Sequence, residues 1–106
     1  MALTNKQKQF LRAQAHHLNP VVLLGQHGLT DAVMAEIELA LTTHELIKVR
    51  IPGQDRDDKK DMMQQIATTT GSELVQSVGH IAVFYRPDPD GARLTLPKAT
   101  AGSNRR

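Results

Sequence analysis

Four consecutive apolar residues, Val21-Val22-Leu23-Leu24, are bounded by Pro20 on one side and Gly25 on the other. A run this short cannot fill the three turns of an ordinary helix, and its boundaries prevent extension. It therefore reads as a strand buried on both faces. Segments with helical spacing lie before and after it, so the chain must alternate helix and strand.

The preceding helix opens on a capping box, Thr4-Asn5-Lys6-Gln7, and carries Phe10, Leu11, Ala15 and Leu18 on its apolar side. Asn19-Pro20 ends it, because a residue before proline disfavours the helical region. Beyond the strand, Thr30 is the natural cap of a second helix, with Asp31 in its first turn. Val33, Ile37, Ala40, Leu41 and His44 form one stripe along it. Leu46 to Ile51 alternates at period two, placing Lys48 and Arg50 on one face and Ile47, Val49 and Ile51 on the other. Asp55 caps a third helix with Met62, Ile66 and Thr69 or Thr70 inward, and Gly71 stops it. Glu73–Val78 and Ile81–Arg86 flank Gly79-His80, a pair suited to a type II′ hairpin in which one of Phe84 and Tyr85 faces the core. Leu94-Thr95-Leu96 adds a short edge strand.

The resulting order, α-β-α-β-α-β-β, predicts a two-layer α/β sandwich with a mixed four-stranded sheet. Two right-handed β-α-β units make parallel neighbours and the terminal hairpin supplies the antiparallel strand. At 106 residues this is one domain, taken as residues 1–97, followed by a basic flexible tail over 98–106. With no cysteine, disulfides and thiolate metal sites are excluded, in keeping with a reducing cytoplasm. The N-terminus lacks the apolar segment of a signal peptide, and no stretch approaches the ~20 residues of a membrane span. A cytoplasmic monomer is expected.

Charge is unevenly spread. Residues 1–30 carry Lys6, Lys8 and Arg12 and no acid, a charge of +3; residues 31–90 carry −5; residues 91–106 carry +4 and no acid. Basic ends around an acidic middle suit a polyanionic partner. Gly25-Gln26-His27-Gly28 joins the first strand to the second helix. On its residues alone this loop is either a tight turn or a corner whose backbone N–H groups receive a phosphate. It has neither the third glycine of a dinucleotide fingerprint nor the Lys-Ser/Thr ending of a P-loop. Its two glycines instead suit close approach to a sugar-phosphate backbone, as in the GXXG clamp of KH domains.

Nothing in the chain supports catalysis, a cofactor or a small-molecule substrate. Asp55, Asp57, Asp58 and Asp61 are interleaved with Arg56, Lys59 and Lys60 and read as a solvated helix start rather than a metal site. His16 and His17 are adjacent and diverge on a helix; His44 and His80 stand alone. With only Phe10, Phe84 and Tyr85 as aromatics, an aromatic base-stacking sheet is disfavoured.

Several segments together resemble the CRM (chloroplast RNA splicing and ribosome maturation) domain in its stand-alone bacterial YhbY form. They are Leu3-Thr4-Asn5-Lys6-Gln7-Lys8, His17 through Gly25, Gly28-Leu29-Thr30, His44-Glu45-Leu46-Ile47-Lys48-Val49 and Val83-Phe84-Tyr85-Arg86. The resemblance spans about residues 3–97. It implies a fold similar to the C-terminal domain of translation initiation factor three, RNA binding through Gly25–Gly28, and association with large-subunit rRNA in pre-ribosomal particles. Gln26 and His27 stand where many such loops carry lysine or arginine, which shifts phosphate attraction to backbone N–H groups and nearby cations. The expected contact set is Gly25, Gln26, His27, Gly28 and Thr30, with Lys6, Lys8, Arg12, Lys48, Arg50 and Arg86 supplying charge. The alternative is a protein-interaction module that docks on a ribosomal protein or assembly GTPase through the acidic third helix.

Overall fold

The computed structural model describes residues 3–25, 28–52, 55–88 and 90. Seven elements follow in order: α1 (Asn5–Ala15), β1 (Val22–Leu23), α2 (Asp31–His44), β2 (Leu46–Arg50), α3 (Arg56–Thr70), β3 (Glu73–Val78) and β4 (Ile81–Tyr85). The strand expected over Leu94–Leu96 and the basic tail lie outside the described residues.

Local chemistry sets the helix ends. Thr4 and Gln7 close the capping box reciprocally, at 3.1 and 3.0 Å. Thr30 Oγ1 accepts the Val33 N–H at 3.1 Å, and Asp55 Oδ1 accepts the Asp57 N–H at 2.9 Å. Gly71 ends α3 at φ +67°, where an L side chain is strained. Gly79 has φ +58° while His80 does not turn positive, and Val78 pairs with Ile81, as a II′ hairpin requires. Helix α1 stops earlier than its apolar pattern suggests. His16 caps it, and Leu18 sits exposed in the following turn instead of extending the helix.

The sheet is mixed, in the order β1-β2-β4-β3. β1 runs parallel to β2, and β4 is antiparallel to both its neighbours. The second β-α-β unit, β2-α3-β3, thus joins parallel strands that are not neighbours, contrary to expectation, because β4 lies between them. Side-chain chemistry explains the insertion. Ala82, Val83, Phe84 and Tyr85 are all buried and belong at the centre, whereas β3 carries Gln76 and Ser77 and suits an edge.

Two cores flank the sheet. On one face Val22, Leu24, Ile47, Val49, Ile51, Ala82 and Phe84 pack against Ile37 and Leu41 of α2 and Ile66 of α3. On the other, Leu46, Val75, Val83 and Tyr85 pack against Leu11 and Ala15 of α1. Helices α2 and α3 form the expected layer on the sheet, and α1 adds a partial layer opposite. That is why Phe84 and Tyr85 are both buried although adjacent strand residues face opposite ways. One further expectation changes: His44 is exposed at the end of α2. Of the two threonines offered for the inner face of α3, Thr70 is the inward one, donating to the Ile66 carbonyl at 2.7 Å.

Because α1 covers only one end of its face, β1 is not buried on both sides. Val22 and Leu24 point into the larger core, while Val21 and Leu23 are 47% and 64% exposed. A bulge in β3 places Val75 and Gln76 together opposite Val83, so both face the α1 side.

Candidate nucleic-acid interface

The glycine loop begins where β1 leaves the sheet. Its ends are joined by a 3.0 Å hydrogen bond from the Gly28 N–H to the Gly25 carbonyl. Gly28 has φ +70°, so the fold itself favours glycine there. Gly25 differs: its φ is not in the left-handed region, and an added Cβ would meet nothing within 4 Å. Neither backbone conformation nor packing among the described residues calls for glycine at position 25. Gln26 and His27, at the centre of the loop, lie outside the described residues. Thr30, two residues past the loop, commits its hydroxyl oxygen to capping α2 and keeps its O–H free to donate.

Strand register places the cations of β2 relative to this loop. The Leu24 N–H donates to the Arg50 carbonyl, and Leu23 is the partner of Arg50 across the β1–β2 pair. Arg50 faces Ile81, which faces Val78. The end row of the α1-side face therefore reads Leu23, Arg50, Ile81, Val78 across four strands. In the next row Lys48 faces Val83, and Val83 faces Gln76. Arg12 and His16 of α1 border this second row and, with Lys48, Gln76, Val78 and Ile81, line a cleft of about 290 Å³. Lys48 Nζ also donates to the Leu18 carbonyl at 3.0 Å, tying the turn after α1 to the sheet.

The remaining basic residues separate clearly. Lys8, Arg12 and His16 follow at four-residue intervals and make one line along α1 leading to the cleft. Lys6 is exposed one turn and a half before Arg12, further from the loop end. Among the described residues, none of Lys6, Lys8, Arg12, Lys48 and Arg50 forms an ion pair. Arg86 does not join them. Its guanidinium bonds Glu38 Oε2 and the Thr70 carbonyl at 2.8 Å each and Thr42 Oγ1 at 3.0 Å. Thr42 stands twelve residues along α2 from Thr30, roughly 18 Å from the loop end at 1.5 Å per residue.

The other side of the loop carries both signs of charge, with Arg56, Lys59 and Lys60 interleaved among four aspartates. Asp55, Asp57, Asp58 and Asp61 are exposed at the start of α3, and Met62 of the same helix has its sulfur 3.8 Å from where a Cβ on Gly28 would stand. No group of three or more metal-ligating side chains converges among the described residues.

Glu45 is the residue to which the sequence pattern assigned no structural role. It is fully buried at φ +66°, caps α2, and accepts the Asp88 N–H at 3.2 Å. Such a conformation normally announces itself as glycine, so no sequence signal marks it. Burial and then the Glu45 carboxylate push the Tyr85 phenol above its ordinary value of 10.0. Tyr85 is thus a neutral core residue and no platform for a base.

Comparison with known proteins gives a consistent result. The CRS1 / YhbY (CRM) domain model matches residues 3–86. A Haemophilus influenzae protein named an RNA-binding protein is 53% identical over 96 residues, covering 91% of this chain and 96% of that one. A Pseudomonas aeruginosa protein named a probable RNA-binding protein is 44% identical over 89 residues, covering 84% and 86%. The solution structure of a hypothetical protein from Staphylococcus aureus aligns with a TM-score of 0.78 at 36% identity, over 91% of this chain and all of that one. The chain belongs to the CRS1 / YhbY (CRM) domain family.

Proposed function

We propose that this protein is a non-enzymatic, cytoplasmic RNA-binding factor that acts as a monomer on precursors of the large ribosomal subunit. The rRNA backbone is held by the Gly25–Gly28 loop, with Gln26, His27 and the Thr30 hydroxyl donating hydrogen bonds. Lys8, Arg12, Lys48 and Arg50 supply the flanking charge, and Lys6 adds to the field from further out. Arg86 is left out of the contact set because its donors are committed within the fold. The membership of the family and the names of its relatives support RNA as the partner class.

The observation that carries the loop assignment is Gly25. A glycine that neither φ nor packing calls for, beside one that φ does, fits a position kept open for something outside the chain. A phosphate can then approach the backbone to hydrogen-bond distance without meeting a Cβ. Gly25→Ala tests this. Stability in urea should be unchanged or raised by up to about 1 kcal/mol, since alanine restricts only the unfolded chain. RNA affinity should fall about tenfold, the equivalent of about 1.4 kcal/mol. Unchanged RNA affinity would remove the loop from the contact surface.

A further inference from the structure

The end row of the α1-side sheet face is covered by no described helix, and α1 covers the next row only at its buried Val83. Of the five large apolar side chains exposed among the described residues, Val21, Leu23 and Val78 project from this face. A fourth, Leu18, lies in the turn whose carbonyl receives Lys48. Exposed apolar side chains concentrated on one face mark a contact surface. Here they alternate with cations: Leu23, Arg50, Ile81 and Val78 in the end row, then Lys48 and Arg12 at the cleft. No acidic residue lies in either row or among the residues lining the cleft.

That combination selects its occupant. A second copy of the chain would set like charges against each other on this face. Residues 91–106 carry four cations and no acid, so they too are repelled by Arg12, Lys48 and Arg50. A polyanion with apolar faces is favoured, and unpaired RNA has both. In a duplex the base faces are stacked inside, so a flat apolar surface would meet only sugar and phosphate. In a single strand the bases splay from the backbone and can lie on the sheet while phosphates reach the cations.

Resting on the loop assignment above, we propose that unpaired nucleotides leaving the glycine loop run across this sheet face, bases on Leu23, Ile81 and Val78, phosphates on Arg50, Lys48 and Arg12. Strands 4.7–4.9 Å apart make the end row roughly 14 Å wide from Leu23 to Val78. The platform is aliphatic, so it selects unpaired over paired RNA without reading a particular base.

The test compares an oligouridylate with a perfectly paired RNA hairpin of the same length, using Leu23→Ser combined with Val78→Ser. Both positions are exposed, so the melting curve should hold, and no charge is removed, so the salt dependence of binding should not change. Affinity for the oligouridylate should fall about fivefold to tenfold while hairpin affinity stays constant. Leu39→Ser, which removes an exposed apolar residue from α2, should change neither. Methyl resonances of Ile81 and Val78 in the wild-type protein should shift on adding oligouridylate, a readout independent of any variant. Unchanged oligouridylate affinity in the double variant, or an equal loss for both RNAs, would overturn the proposal. If the double variant behaves as stated but Gly25→Ala binds normally, the sheet face stands and the loop assignment fails.

Discussion

Arg86 holds three elements together from the end of β4. Its guanidinium links the Glu38 carboxylate and Thr42 hydroxyl of α2 to the last carbonyl of α3, Thr70. The ion pair is only partly screened from water, at 22% and 44% side-chain exposure, so its share is modest. Arg86→Met should lower the unfolding free energy by about 1–2 kcal/mol in urea and leave RNA affinity unchanged. A loss of RNA binding at full stability would return Arg86 to the contact surface. Charge alone offered this residue to a polyanion, because a sequence does not disclose which arginine has its donors occupied. Gly25 and Gly28 were legible as a loop from their spacing, but their different reasons for being glycine needed φ and the space around each. Glu45 was illegible in the same sense, as a left-handed position with no glycine to announce it.

Helix boundaries were the most legible elements, since caps are read from one or two residues. Thr4, Thr30, Asp55 and Gly71 all act where the pattern placed them. Thr30 sets the direction in which α2 leaves the glycine loop, so it is also the element end nearest the proposed site. Thr30→Ala should cost about 1 kcal/mol in urea denaturation, and Thr30→Ser should restore most of it, because serine supplies the same acceptor. Equal stability for all three proteins would show that the cap contributes nothing. Layering and strand neighbours were less legible. Period-two alternation says that two faces differ but not what covers each, so α1 on the second face escaped the pattern. So did the one-sided burial of β1, which depends on how far α1 reaches. Placement of β4 inside the sheet rested on a comparison between strands, with Ala82 to Tyr85 wholly apolar and β3 half polar.

At the scale of the molecule, the loop divides two fields. On the sheet side stand Arg12, Lys48 and Arg50 with exposed aliphatics and no acid; on the helix side the carboxylates of Asp55, Asp57, Asp58 and Asp61 are interleaved with Arg56, Lys59 and Lys60. The sequence disclosed basic ends and an acidic middle, yet two of the three cations on the sheet side, Lys48 and Arg50, come from that middle, so the side they share with Arg12 is set by the fold and not by the linear pattern. Strand β2 and helix α1, distant in sequence, contribute to the same side only because α1 packs on the sheet face that presents Lys48. A module that docked on a protein through α3 would use the helix side and leave the loop idle. RNA binding by the wild-type protein and by the Gln26→Asp/His27→Asp double variant, measured across a salt series beside their melting curves, separates the two. The wild type should bind RNA with a salt slope of about 0.7 log unit per phosphate contact on single strands. The variant should melt with the wild type and bind at least about tenfold more weakly, as two carboxylates repel the backbone. Equal affinity of the two proteins, or wild-type affinity independent of salt, would contradict the account.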